Sequence, residues 1–229
     1  MIKAAVFDLD HTLFDRYGTL RAIMPPFCAR FDMSVSVEVA TELMIEYDKL
    51  YVHTGWEQIY SHLVSKGVFR TAPTFDEYKE ALLDEFSKQS VEYPFTKPML
   101  TKLRQSGIKT GLITNGRSEI QRGKLRQLSL EPYLDEIIIS GEIGFHKPSP
   151  EPFMEMAKRL SLEPHEIIFV GDNPETDITG ARNAGFVPVW VATLGRWTIP
   201  EVEKTKYSVN DVSEIPDLIN IINEEEKNG

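Results

Sequence analysis

Ala4-Ala5-Val6-Phe7-Asp8-Leu9-Asp10-His11-Thr12-Leu13 is a short apolar run that ends abruptly in two carboxylates and a hydroxyl. A run of this kind reads as a central parallel strand buried on both faces. Whatever follows Phe7 is then presented at a sheet edge, where open α/β folds place their ligands. Asp8 and Asp10 project to opposite sides of an extended chain, so they share a site only if the chain curls there. Carboxylates brought together raise each other's pKa, and such a pair in a cleft points to a divalent cation or to acid/base work. The plainer reading is a turn after a strand, for which Asp is a common choice.

Outward from this stretch the chain alternates between strand and helix patterns. Ile108 to Ile113, Ile137-Ile138-Ile139, Ile167 to Val170 and Val187 to Val191 read as further strands, with a last short one from Tyr207 to Val209. Helices are expected from Pro98 to a stop at Gly107, around Ile120, Leu125 and Leu128, from Pro152 to Leu160, and from Thr176 to Ala184 ahead of Gly185. Ile215 to Ile222 reads as a final amphipathic helix, and Glu224 to Gly229 as a frayed, solvated end. Strand then helix, repeated, predicts an α/β fold with a doubly wound, parallel, Rossmann-like sheet.

Tyr17 to about Gln89 interrupts that alternation with apolar residues at helical spacing. Leu20, Ile23 and Met24 suggest one helix, stopped or kinked at Pro25-Pro26. Val39, Leu43, Ile45, Leu50 and Tyr51 suggest a second, Trp56, Ile59, Tyr60 and Leu63 a third ending at Gly67, and Phe75, Tyr78, Leu82, Leu83 and Phe86 a fourth. The expected organisation is a core of residues 1–15 and 92–229, with an all-helical insertion over 16–91.

Three more strand ends carry groups that complement the first. They are Leu112-Ile113-Thr114-Asn115-Gly116, then His146-Lys147-Pro148, and Gly171-Asp172-Asn173-Pro174-Glu175-Thr176-Asp177. With Asp8-Leu9-Asp10-His11-Thr12 they resemble, in order and in spacing, the four motifs of the haloacid dehalogenase-like (HAD) superfamily. The resemblance covers nearly the whole chain, and the insertion between the first and second motifs resembles the helical cap of the family's C1 class. It implies that the loop after Phe7 makes one helical turn and a flap, bringing Asp8 and Asp10 to one site.

The resemblance also implies a chemistry. Asp8 is then the nucleophile that forms an aspartyl-phosphate, and Asp10 the group that protonates the leaving oxygen and later activates water. Thr114 donates a hydroxyl to a phosphoryl oxygen, Asn115 or Gly116 adds a backbone amide, and Lys147 neutralises the phosphoryl charge. The resemblance implies Mg2+ coordinated by Asp8, the backbone carbonyl of Asp10 and Asp172, with Asp177 behind those ligands or acting through water. Glu175 reads as an ordinary first-turn acid. His11 stands where many family members carry glycine, and reads as a loop side chain at the mouth of the site.

The family's dehalogenases attack carbon and lack the acid at position 10, so the resemblance implies a phosphomonoester hydrolase. A phosphomutase of the β-phosphoglucomutase kind shares all four motifs and is the alternative. A phospho-acceptor switch like a response-regulator receiver is shorter and has no helical insertion. For the leaving group, Arg16, Arg21, Arg30, His53, Trp56 and Arg70 are candidates, with helix covering and core filling as their plainer roles. A nucleoside monophosphate is the first substrate expected, and a small phosphorylated acid or sugar such as phosphoglycolate the second.

Composition bounds the rest. At 229 residues, with 25 Lys plus Arg against 35 Asp plus Glu, the formal net charge is −10, which disfavours nucleic acid polymers and anionic membranes as partners. The single cysteine, Cys28, excludes an internal disulfide framework and fits a reducing compartment. No basic region followed by a long apolar one opens the chain, and no run is long enough to span a bilayer. The expectation is a cytoplasmic, soluble protein, as a monomer or small homo-oligomer.

Overall fold

β1 (Ala4–Phe7) lies inside a six-stranded parallel sheet of order β3-β2-β1-β4-β5-β6, formed with β2 (Lys109–Thr114), β3 (Glu136–Ile139), β4 (Ile167–Gly171), β5 (Val187–Val191) and β6 (Tyr207–Val209). The computed structural model describes residues 1–51, 55–192, 197 and 201–228. In it the chain forms two compact units, one of residues 1–15 and 92–229 and one of residues 16–91. None of the described helices is long and apolar enough to cross a membrane.

Every residue of β1 is buried, which is why its sequence is apolar without alternation. Ala4 and Val6 pack with Ile113, Ile138 and Phe169 against α8 (Glu151–Leu160), through Phe153, Met156 and Leu160. α9 (Thr179–Asn183) supplies Ala181 to the same cluster. Gly111 in β2 leaves no room there for a side chain, since a Cβ would stand 2.9 Å from Met156 Sδ. Ala5 and Phe7 point to the opposite face, which α5 (Thr96–Gln105) and α10 (Ile215–Asn228) cover. Helices on both faces of a parallel sheet make the fold doubly wound.

Strand order reverses between β1 and β4, which pair in register from Ala4↔Ile167 to Phe7↔Val170. Such a switch point opens a crevice at the carboxyl ends of the strands. Asp8 and Asp172 are therefore delivered side by side by strand pairing alone.

The helical unit holds α1 (Arg16–Cys28), α2 (Val37–Tyr51), α3 (Trp56–Ser65) and α4 (Phe75–Lys88). α1 runs through Pro25 and Pro26 instead of stopping there. The missing N–H groups fall in its last turns, where buried Phe27 and Cys28 hold the chain by packing. In α2 the expected stripe is rotated: Val39 and Leu50 are 48% and 60% exposed, while Met44, Ile45, Tyr47 and Asp48 are buried. Asp48 pulls that face inward, because Arg16 meets it with two hydrogen bonds of 2.8 and 2.6 Å.

Two element ends also differ from expectation. α5 starts at Thr96, so Pro98 is its third residue, with the Thr96 hydroxyl donating to Leu13 O at 3.0 Å. α10 continues to Asn228 instead of fraying from Glu224, because Glu225 accepts from Lys206 Nζ at 2.6 Å and Tyr207 Oη at 2.7 Å.

Candidate active site

Asp8 is the first residue beyond β1, and its N–H still donates to Val170 O at 2.9 Å. The chain then curls. The N–H groups of Thr12, Leu13 and Phe14 converge on Leu9 O, and His11 N–H reaches Phe14 O at 2.9 Å. His11 carries this turn at φ +60°, a left-handed conformation that glycine adopts without strain. The residue is 8% exposed, as is Asp8. The curl defeats strand geometry: Asp10 lies close enough to Asp8 for its charge to act on it.

Beyond β4 the chain returns on itself. Asn173 caps the next turn, its Oδ1 accepting from Glu175 N at 2.9 Å and Thr176 N at 3.0 Å. That turn is wide, with Ile178 N–H reaching back five residues to Asn173 O, a form often found at functional sites. It turns Asp177 inward, where Oδ2 accepts from Asn173 N at 3.1 Å, and leaves Glu175 exposed. Gly171 lies so near the Asp177 carboxylate that no Cβ fits between them. Trp190, on β5, donates from Nε1 to Asp172 O at 3.0 Å and fixes the backbone there.

Lys147 closes the group. Its Nζ stands 2.5 Å from Asp8 Oδ1 and 2.7 Å from Asp177 Oδ1, with the Phe169 ring 5.1 Å away. The side chain of Asn115 grips the Lys147 backbone, donating from Nδ2 to Lys147 O and accepting from Lys147 N, both at 2.9 Å. Asn115 thus has its side chain in the scaffold, and the Gly116 amide is given to Ser140 Oγ at 2.9 Å.

Burial and an excess of acids over cations set the electrostatics. Burial pushes the Asp8 carboxyl up to about 7; the Lys147 ammonium opposes this, while Asp177 and Asp10 add to it. Asp172 is raised well above the usual carboxylate range by burial and by Asp177 and Asp8. Burial alone would lower Lys147, but Asp177 and Asp8 outweigh it and hold the ammonium charged. Carboxylate oxygens of Asp8, Asp172 and Asp177 lie within 4.8 Å of one another. An all-oxygen set with one ammonium for three carboxylates suits a hard divalent cation, which would relieve the remaining repulsion.

Asp10 keeps its carboxylate out of that set. Lys124 Nζ donates to Asp10 Oδ1 at 2.7 Å and Oδ2 at 2.9 Å, and Gln121 Nε2 approaches Oδ2 at 3.2 Å. Gln121 Nε2 also meets Thr114 Oγ1 at 2.6 Å, at the buried end of β2. Both residues come from α6 (Ser118–Leu128), and sequence reasoning passed over them. The available signal was their i, i+3 spacing on the helix that opens just after Thr114-Asn115-Gly116.

In the helical unit the candidate arginines are variously engaged. Arg16 is buried against Asp48, Arg30 pairs with Asp84 and Glu85, and Arg21 and Arg70 make exposed pairs with Glu42 and Asp32. Trp56 stacks on Phe86 at 6.0 Å. His53 lies outside the described residues.

Comparison with known proteins identifies the family and the fold. The model of the haloacid dehalogenase-like hydrolase family matches residues 5–191. A glyceraldehyde 3-phosphate phosphatase of Methanopyrus kandleri is 32% identical over 204 residues, spanning 82% of this chain and 83% of that protein. The N-acylneuraminate-9-phosphatase of Mus musculus is 28% identical, over 96% and 95% of the two chains. Among solved structures, the HAD hydrolase YfnB of Bacillus subtilis, bound to magnesium, superposes with a TM-score of 0.77 at 19% identity, covering 96% of this chain and 99% of that one. The L-2-haloacid dehalogenase of Xanthobacter autotrophicus does so at 0.69 and 22%, with the same coverage, and both likenesses speak to the fold. The chain belongs to the haloacid dehalogenase-like hydrolase family. Within it, the chain is an enzyme of the phosphatase kind.

Proposed function

We propose that the protein hydrolyses phosphomonoesters of small metabolites, with Mg2+ and through an aspartyl-phosphate on Asp8. The observation that carries this reading is Lys147 held between Asp8 and Asp177, beside Asp172, at the sheet's switch point. Three carboxylates and an ammonium around one crevice suit an electron-rich phosphoryl group that must be neutralised before a carboxylate can approach it.

In the first step an Asp8 oxygen attacks phosphorus, the bond to the leaving oxygen breaks, and that oxygen takes the proton of Asp10. An alcohol leaves, and Asp10 becomes a carboxylate. In the second step Asp10 takes a proton from water as the water oxygen attacks phosphorus, which releases phosphate and restores both residues. Lys147 and the Thr114 hydroxyl stabilise the phosphoryl oxygens throughout. Asp8, Asp172 and the Asp10 carbonyl would hold Mg2+, with Asp177 behind them or acting through water, and the ion would supply further charge neutralisation.

The helical unit 16–91 is the part assigned to substrate choice. The phosphatases named above, with a phosphoserine phosphatase of Thermus thermophilus 32% identical over 140 residues, are named for small phosphorylated sugars and acids. That favours the same substrate class here, with nucleoside monophosphates as the comparison set. Cys28, a lone buried thiol, is in keeping with a cytoplasmic setting.

The test is phosphate release from a panel of sugar phosphates, phosphorylated acids and nucleoside monophosphates, with Mg2+ and then with EDTA. Mg2+-dependent release that Asp8→Asn abolishes, with the fold intact by circular dichroism, is expected. Isomerisation of a sugar phosphate without phosphate release would overturn the hydrolase reading in favour of a mutase.

A further inference from the structure

α6 begins just past the end of β2 and lays two polar side chains, one turn apart, into the crevice side of the sheet. Lys124 is 5% exposed and Gln121 2%, and a lysine that deeply buried is uncommon without a partner. Its ammonium spans both oxygens of Asp10 and lies 4.8 Å from the centre of the Phe14 ring. Gln121 Nε2 faces Asp10 Oδ2 at 3.2 Å, Asn115 O at 3.1 Å and Thr114 Oγ1 at 2.6 Å. A main-chain carbonyl and a carboxylate ask for a donor, which fixes the amide with its nitrogen on this side.

We propose that Gln121 and Lys124 are positioning residues for the reaction, acting through Asp10 and Thr114. The inference rests on the functional reading above. Lys124 reaches both oxygens of Asp10, so that when one oxygen carries the proton the ammonium keeps the other, and the group meets the leaving oxygen in one orientation. Gln121 does two things at once. It steadies the same carboxylate and, by donating to Thr114 Oγ1, leaves that hydroxyl its own hydrogen to give to a phosphoryl oxygen. The acid/base group and the phosphoryl donor, which sit on separate strands, are thereby tied to one helical turn.

In the first step the Asp10 proton matters only when the leaving oxygen needs it, and this supplies a readout, in a rate constant that excludes the later hydrolysis of the aspartyl-phosphate, that fold damage does not mimic. kcat/KM, which reports formation of the aspartyl-phosphate alone, is measured in Mg2+ for an alkyl phosphomonoester that the wild-type enzyme accepts and for 2,4-dinitrophenyl phosphate, whose phenolate departs unprotonated. The ratio of the two rates in one sample cancels any loss of folded protein. Asp10→Asn is expected to depress the alkyl ester far more than the activated one. Lys124→Met and Gln121→Leu are expected to shift the ratio the same way, by about tenfold to a hundredfold, the range for groups that support reacting ones. Lys124→Arg is expected to restore part of it.

If Asp10→Asn changes the ratio and Lys124→Met and Gln121→Leu lower both rates equally, or neither, the positioning role is wrong and the functional reading stands. If Asp10→Asn leaves the ratio unchanged, Asp10 is not the acid and the inference falls with that assignment. Absence of phosphate release from either ester by wild-type protein overturns the functional reading itself.

Discussion

The side-chain amide of Asn115 and the backbone of Lys147 exchange two hydrogen bonds, each 2.9 Å long. One side chain thereby fastens the strand end carrying Thr114 to the loop carrying the buried ammonium. Asn115→Ala removes both bonds without touching Asp8 or Lys147. It is expected to lower kcat about tenfold to a hundredfold, the usual cost of losing such support, with a small change in KM. Steady-state kinetics on the best panel substrate measures this, and an unchanged kcat would show that the Lys147 loop holds itself.

Gly171→Ala places a methyl group against the Asp177 carboxylate, where there is no space. The carboxylate has to leave Lys147 and the neighbouring Asp8 and Asp172, or the backbone has to shift. Overpacking of this kind costs about 1–3 kcal/mol. The expected result is a lower Tm together with a weaker Mg2+ requirement curve, read as a higher Mg2+ concentration for half-maximal activity.

Asp8 holds its proton up to about pH 7, whereas the unfolded chain releases it near the ordinary value of 3.8. The folded state therefore binds more protons from this group across that window, so the group withdraws stability from metal-free protein as pH rises. Mg2+ competes with the proton for the same oxygens and removes the penalty. The rise in Tm on adding Mg2+ is expected to grow between about pH 5 and about pH 8, relative to an EDTA control. A rise independent of pH would place the cation away from Asp8.

In the helical unit, Arg16 and Asp48 form a buried pair with side chains 7% and 2% exposed. Asp48→Ala leaves the guanidinium buried without its carboxylate, a loss of about 3–5 kcal/mol. Arg16→Met combined with Asp48→Leu is expected to recover most of it, since well-packed apolar pairs replace buried ion pairs at little cost. Chemical denaturation of the three proteins gives the comparison.

Strands and their order of appearance were legible because burial on both faces writes an unbroken apolar run, as in Ala4–Phe7 and Ile167–Val170. Asp8, Asp172 and Thr114 were easy to single out because they stand at or just past strand ends, whereas Lys147, read as a strand-end residue, lies beyond α7 (Ser140–Ile143), the short helix that follows β3. The support beneath them was not legible. Gln121 and Lys124 look like two polar residues on an amphipathic helix, and nothing local says that their face meets Asp10. Trp190 likewise reads as a strand residue, although its indole nitrogen holds Asp172. The α2 stripe was misjudged because Asp48, a charged residue, belongs to the buried face once Arg16 is brought to it. Pro25 and Pro26 marked the neighbourhood of the α1 end, which falls two residues later, at Cys28.

β1 pairs with β2 from Ala4↔Lys109 onward and with β4 from Ala4↔Ile167 onward. During synthesis, the strand that carries Asp8 therefore leaves the ribosome with neither neighbour yet made, and the first becomes available only after residue 109. An apolar strand with two unpaired edges is a template for association with other chains while it waits. The helices of residues 16–91 are local in sequence and need no such delay. β1 is the earliest part of the sheet to be made and among the last to be enclosed, so dependence on chaperones should centre on it.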